Sequence, residues 1–141
     1  MIIGIIGESC TGKTTIAEEL SKRTGREIYT GKDYIKLAKN ENEAKENFIQ
    51  LLKDSNDIIY VISEKEQLQL LPENAIRIIL TADLDTIKQR FSKRMKGTLP
   101  APVEAMLEAK HGIFDNVDCQ IHVENMDGDV SEICDKIISL I

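Results

Sequence analysis

Gly7, Gly12, Lys13 and Thr14 stand in the run Gly7-Glu8-Ser9-Cys10-Thr11-Gly12-Lys13-Thr14, and their types and spacing suit a chain of phosphates. The glycines let the backbone turn tightly, so that successive N–H groups from Glu8 to Thr14 converge on phosphate oxygens at a helix N-terminus, which already carries partial positive charge. Lys13 can then reach the β and γ phosphates, and the Thr14 hydroxyl can take a place on Mg²⁺ beside them. The candidate binding set is Gly7, Glu8, Ser9, Cys10, Thr11, Gly12, Lys13, Thr14 and Thr15, with Thr14 as the metal-binding side chain. The competing reading is a glycine-containing strand-to-helix turn with a solvated lysine, which requires four fixed residue types to coincide by chance.

Arg90 and Arg94 lie four residues apart on a predicted helix and share a face that flanks its buried stripe. A planar guanidinium grips a phosphoryl group through two parallel N–H bonds, which a point charge cannot match. Two readings stand for the pair: a clamp on a phosphoryl group, or solvated arginines on an amphipathic helix. His111 and His122 have no second ligand at metal-binding spacing, and His111 sits at a helix end, where histidines commonly meet the last carbonyls. The acidic run from Glu41 to Glu46 reads as a solvated helix face.

These residues need a scaffold, and the hydrophobic pattern supplies one. Short β-branched runs alternate with stripes of period 3.6, the signature of a parallel sheet covered by helices. Strands are expected over Ile2–Ile6, Glu27–Tyr29, Asp57–Ser63, Ala75–Leu80 and Gln120–Glu124. The near-continuous apolar run of the third should lie beside the first, since both need cover on two faces. A helix from Lys13 buries Ile16, Ala17 and Leu20 and stops at Gly25, a left-handed cap. The stretch from Lys32 to about Asp54 reads as two helices broken at Asn40-Glu41-Asn42, with Ile35, Ala38, Phe48, Leu51 and Leu52 as apolar contacts. A weaker helix, Glu64–Leu71, ends at Pro72. Asp83 is the expected N-cap of the helix carrying Leu84, Ile87, Phe91 and Met95, which breaks at Gly97. Further helices are expected over Val103–His111 and from Val130, with Val130, Ile133, Cys134, Ile137, Ile138 and Ile141 on one face and a capping box of Asp129 with Glu132. Phe114-Asp115-Asn116-Val117-Asp118 reads as a plain Asp/Asn turn, with a specialised turn before the last strand as the alternative.

The Gly7–Thr14 motif and this order of elements resemble the small P-loop kinases: the nucleoside monophosphate kinases, including guanylate and cytidylate kinases, and the shikimate kinase group. The layout covers most of the chain, although only the loop motif is sharply specific. The resemblance implies a three-layer α/β P-loop NTPase fold, a five-stranded parallel sheet between helices, with ATP and Mg²⁺ at the loop and a small-molecule acceptor under a mobile helical segment. In-line phosphoryl transfer would follow, driven by positioning and charge stabilisation. On this likeness Thr30–Asn40 belongs to the acceptor site, with Lys32, Asp33 and Tyr34 as its polar candidates. Arg90, Arg94 and Lys96 match the arginine clamp, and Gly97–Pro102 is a very short lid. The catalytic candidates are Lys13, Arg90, Arg94 and Asp33.

One departure stands out. A P-loop enzyme usually carries an acid at the C-terminal end of the strand beside the loop, where it helps hold Mg²⁺. Here that end reads Val61-Ile62-Ser63-Glu64, and Asp57 lies at the opposite end, about 20 Å away at ~3.3 Å per residue. Ser63 or Glu64 would have to substitute. Asp33 is the other carboxylate that could reach a metal or take a proton from an acceptor hydroxyl, and Gly31-Lys32-Asp33 equally describes a helix N-cap.

The 141 residues suffice for one domain spanning 1–141 with a five-stranded core, and a formal net charge of −6 argues against nucleic acid as a bulk electrostatic partner. Cys10, Cys119 and Cys134 are an odd number without metal-ligand spacing, and the apolar opening falls well short of the ~20 residues a bilayer requires. With no secretory leader read ahead of the first strand, a reduced cytoplasm and no membrane are expected. The leading function is an ATP-dependent kinase for a nucleotide or nucleotide-like metabolite; a kinase for another hydroxyl, such as shikimate or a sugar acid, differs only in acceptor. From another class comes a nucleotide-binding regulatory module or slow NTPase, which the missing acid favours. Oligomeric state and base preference are not encoded in these features.

Overall fold

The computed structural model describes residues 1–55, 57–125 and 129–141. Five strands, β1 (Ile3–Gly7), β2 (Glu27–Thr30), β3 (Ile58–Ile62), β4 (Ile76–Thr81) and β5 (Ile121–Glu124), form one sheet in the order β2-β3-β1-β4-β5. Every pairing is parallel, with Ile3 facing Ile59 on one side and Ile76 on the other. The helices are α1 (Lys13–Thr24), α2 (Glu41–Asp54), α3 (Leu84–Arg94), α4 (Ala101–Lys110) and α5 (Val130–Ile138). This is the three-layer α/β fold that the resemblance to small P-loop kinases implies, built on the parallel sheet that the alternating pattern predicts.

β1 and β3 are buried at every residue, as their unbroken apolar runs require when both faces are covered. Because side chains alternate along a strand, Ile3 and Ile5 pack under α1 and α5 against Ile16, Leu20, Cys134 and Ile137, whereas Ile2 and Ile6 face α2 on the other side. There Phe48 is wrapped by three tyrosines, with ring centroids 5.0 Å from Tyr29, 5.4 Å from Tyr34 and 4.9 Å from Tyr60. A smaller cluster of Ala82, Ile87 and Leu107 joins α3 to α4.

Local chemistry sets the boundaries. α1 ends at Gly25 in the left-handed region, φ 74°, its N–H donating to the Ser21 carbonyl at 2.8 Å. Asn40 caps α2 by accepting from Glu43 N at 2.8 Å, at the expected break. Ahead of it the chain forms a 3₁₀ helix, Asp33–Leu37, instead of an α-helix. The tighter winding takes Ile35 off the buried stripe, leaving it 53% exposed, and seats Tyr34 in the core instead. Glu64–Leu71 is likewise a 3₁₀ helix, over Lys65–Leu70. Asp83 occupies the N-cap position of α3 without capping it: its N–H donates to Asn125 Oδ1 at 2.9 Å and its carboxylate accepts from Asn125 Nδ2 at 3.3 Å. Met95 and Ile141 lie just beyond the last turns of their helices and are exposed rather than buried. α4 starts two residues earlier than the pattern suggests, at Ala101 after Pro100, with Pro102 accommodated in the first turn.

Candidate functional site

β1 delivers the chain to Gly7, where a side chain has no room. A Cβ there would run into the Leu80 carbonyl and approach Thr11 Oγ1 to 2.7 Å. The backbone then turns through two left-handed residues, Cys10 at φ 62° and Gly12 at φ 100°, before α1 begins at Lys13. This αL-rich turn at a helix N-terminus aims its N–H groups into one concavity. Thr11 Oγ1 donates to the Glu8 carbonyl at 2.8 Å and Lys13 Nζ to the same oxygen at 2.5 Å. Lys13 is thus folded back into the loop and buried. Burial lowers its pKa from 10.5 to about 8, and the positive charge of Arg94 pushes the same way.

Beside the loop lies a cavity of about 150 Å³ bounded by Gly12, Lys13, Thr14 and Thr15, by Thr30 and Val61 of the neighbouring strands, by Ser63 and by Arg94. A second cavity, about 290 Å³, opens between Cys10, Gly12, Arg90 and Arg94. Arg90 Nη1 donates to the Cys10 carbonyl at 2.9 Å. The two arginines therefore reach the phosphate loop, on the shared face that their spacing dictates. Lys96 does not line either cavity; it sits beyond α3 at φ 61° in the exposed turn that runs on to Gly97.

The acceptor-side candidates separate. Tyr34 is buried against Phe48 and acts as core. Lys32 is the N-cap residue of the 3₁₀ helix and pairs with Glu41 at 3.3 Å. Asp33 follows it as the first 3₁₀ residue, is exposed, and accepts the Thr30 N–H at 2.8 Å, closing the turn after β2. It therefore stands next to Thr30 but does not itself line the cavity. Tyr60 holds the same turn by donating to the Gly31 carbonyl at 2.7 Å; burial pushes its hydroxyl pKa well up. At the C-terminal end of β3, Ser63 lines the cavity, whereas Glu64 forms an ion pair with Lys110 at the end of α4.

Sequence reasoning missed the role of His111. The ring does not turn to the carbonyls of α4; His111 Nδ1 lies 3.1 Å from Glu8 Oε1, and the Gly112 N–H donates to Glu8 Oε2 at 3.2 Å. The one available signal was an acidic residue at a loop position that needs no charge, a glutamate in want of a partner. His122 meets Thr81 Oγ1 at 2.8 Å on the β4–β5 pair. The segment 114–118 is a turn, its Phe114 ring buried in the core and Val117 N donating to the Phe114 carbonyl at 3.2 Å. All three cysteines are free thiols. Among the described residues no helix is long and apolar enough to cross a membrane.

The strand order, the loop on the central strand and the lysine folded into it define the class: this is a P-loop protein. No protein-family model matches the chain. It is similar to a shikimate kinase of Pelotomaculum thermopropionicum, 26% identical over 151 residues that cover 89% of this chain and 86% of the relative. Among solved structures it superposes on the YorR protein of Bacillus subtilis in complex with phosphorylated GDP, at 26% identity and TM-score 0.65, over 99% of this chain and 95% of that one. The shikimate kinase of Acinetobacter baumannii, solved with shikimate, shares the fold at 18% identity and TM-score 0.64, over 99% and 91% of the two chains. Within the P-loop class the chain is thus similar to small-molecule kinases.

Proposed function

We propose that the protein is an ATP-dependent phosphotransferase, working in the cytoplasm, that moves the γ-phosphoryl group to a nucleotide or a nucleotide-like metabolite. The observation that carries this reading is the convergence of Lys13 and Arg94 on one cavity beside the loop's N–H groups. Anionic oxygens entering there meet a backbone cradle, a buried ammonium and a guanidinium together, the arrangement that stabilises charge spread over a transferring phosphoryl group. The acceptor oxygen forms its bond to the γ-phosphorus as the bond to the β–γ bridging oxygen breaks, and ADP leaves. Lys13 holds the β and γ oxygens, while Arg90 and Arg94 cover the outer side. Where the acceptor is a hydroxyl, Asp33, next to Thr30, is assigned its proton, for which it must bring the carboxylate oxygen not bonded to Thr30 toward the cavity; a nucleotide phosphate attacks through an oxygen already deprotonated and needs no base. The residues fit Mg²⁺ in one respect, an exposed Thr14 hydroxyl at the cavity mouth, and that ion prefers phosphate oxygens and water for its other places. When bound, it would neutralise charge on the β and γ phosphates.

The shikimate kinase relative and the YorR complex support two acceptor chemistries, a ring hydroxyl and a nucleotide phosphate, and the proposal favours the second. One observation favours a different reading, a nucleotide-binding regulatory module or slow NTPase: Glu64, the carboxylate nearest the usual metal-holding position, is paired with Lys110. A panel of nucleoside monophosphates and hydroxylated metabolites, incubated with ATP and Mg²⁺ and followed by ADP release, tests both. Release that depends on one acceptor is the expected result. Slow release indifferent to every acceptor points to the regulatory module, and failure to bind ATP or GTP at all overturns both.

A further inference from the structure

Glu8 is held from both ends. Its carbonyl carries Lys13 Nζ and Thr11 Oγ1, and its carboxylate, in a residue only 7% exposed, takes His111 Nδ1 and the Gly112 N–H from the far end of α4. Two residues along the loop, the Cys10 carbonyl receives Arg90 of α3. α3 and α4 are themselves one unit, joined through Ile87 and Leu107 and by Lys88, whose Nζ lies 3.1 Å from Glu104 Oε1 and 2.6 Å from Glu108 Oε1. A helical hairpin therefore straddles the loop, fastened at residue 8 by one leg and at residue 10 by the other.

A carboxylate next to a phosphate cradle is a poor choice for phosphate binding alone, because it repels the incoming anion and must be desolvated. Its value lies in the bonds it makes to the hairpin. We propose that Glu8 and His111 are a positioning pair that sets the register of the α3–α4 hairpin over the loop, so that Arg94 meets the same phosphoryl group as Lys13. This inference rests on the phosphotransferase reading above. When a polyphosphate draws Lys13 Nζ off the Glu8 carbonyl, the hold of α4 on the Glu8 side chain keeps the loop from following the lysine. Facing a carboxylate, His111 Nδ1 carries the proton and donates.

The proposal separates transfer from binding. The N–H cradle and Lys13 supply most of the hold on ATP and survive loss of the pair, whereas a displacement of Arg94 by about 1 Å can lower the transfer rate on the order of a hundredfold. In His111→Ala, kcat for transfer should fall at least about tenfold while KM for ATP changes less than about threefold. His111→Asn places an N–H donor near the Nδ1 position and should recover most of the rate. If His111→Ala does not fold, Glu8→Met, which is of similar length and can accept neither bond, should show the loss in kcat on its own. Amide hydrogen exchange on the nucleotide-free protein provides a readout independent of activity: in His111→Ala, or in Glu8→Met in its place, it should quicken in both 7–13 and 101–112 and stay unchanged in α5. Wild-type kcat and KM in His111→Ala, or a rise in KM alone, overturns the proposal. A wild-type protein that shows no acceptor-dependent transfer sinks the phosphotransferase reading instead, and the exchange pattern then decides whether the hairpin is fastened through this pair.

Discussion

Replacing Lys13 by methionine should stabilise the nucleotide-free protein near neutral pH while destroying its site. Burial brings the Lys13 pKa from 10.5 to about 8. At ~1.4 kcal/mol for each pH unit between those values, keeping the ammonium charged in the folded protein costs about 3 kcal/mol relative to the unfolded chain. The folded-state pKa is the lower one, so across that window the unfolded chain binds more protons and stability rises with pH. Below about 8 the penalty is complete; above about 10.5 it is gone. Methionine is unbranched like lysine, one atom shorter, and does not titrate, and the constant difference between methionine and neutral lysine cancels when two pH values are compared. The melting advantage of Lys13→Met over wild type should therefore be larger at pH 7 than at pH 9.5 by about 2 kcal/mol, or roughly 7 °C for a chain of this size. Thermal unfolding followed by circular dichroism at the two pH values measures it. An advantage of the same size at both would refute the reasoning, because Lys13 would then titrate as it does in water.

Other expectations follow from neighbouring features. Binding of ATP with Mg²⁺ should take up about half a proton at pH 8, where half of Lys13 is neutral before the phosphates restore its charge; calorimetry in two buffers of different ionisation enthalpy reads this, and no uptake contradicts it. Gly7→Ala should lower stability in urea by at least about 2 kcal/mol, since its Cβ collides with the fixed Leu80 carbonyl; an unchanged midpoint would mean the strands are not that close. Arg94→Ala should mainly lower turnover, by roughly 10- to 1,000-fold, with ATP affinity little changed, and equal rates in the two proteins remove that arginine from the mechanism.

The fold was legible because two independent signals agreed. Periodicity marked the five strands and put the apolar third beside the first, and the loop motif marked the turn that faces the ligand. What failed to show was set by contacts distant in sequence or by the finer choice of helix type. Ile35 reads as buried only if 33–37 is an α-helix, and the chain instead winds as 3₁₀ to seat Tyr34 against Phe48. Asp83 has the sequence of a cap, but Asn125, forty-two residues later, claims it. The loop residues and the shared face of Arg90 and Arg94 came from local spacing. The Glu8–His111 contact spans 103 residues and has no local pattern, beyond a charge at a position that does not call for one.

The placement of β1 has a further consequence for biogenesis. It precedes both of its strand partners, residues 58–62 and 76–81, in the chain. Ile3–Ile6 has no strand partner until residues 58–62 have been made and gains the second only with residues 76–81, and parallel pairing over such spans is slow. Until those strands are made, Ile3 and Ile5 depend on transient contacts with α1, which follows β1 directly, or on chaperones.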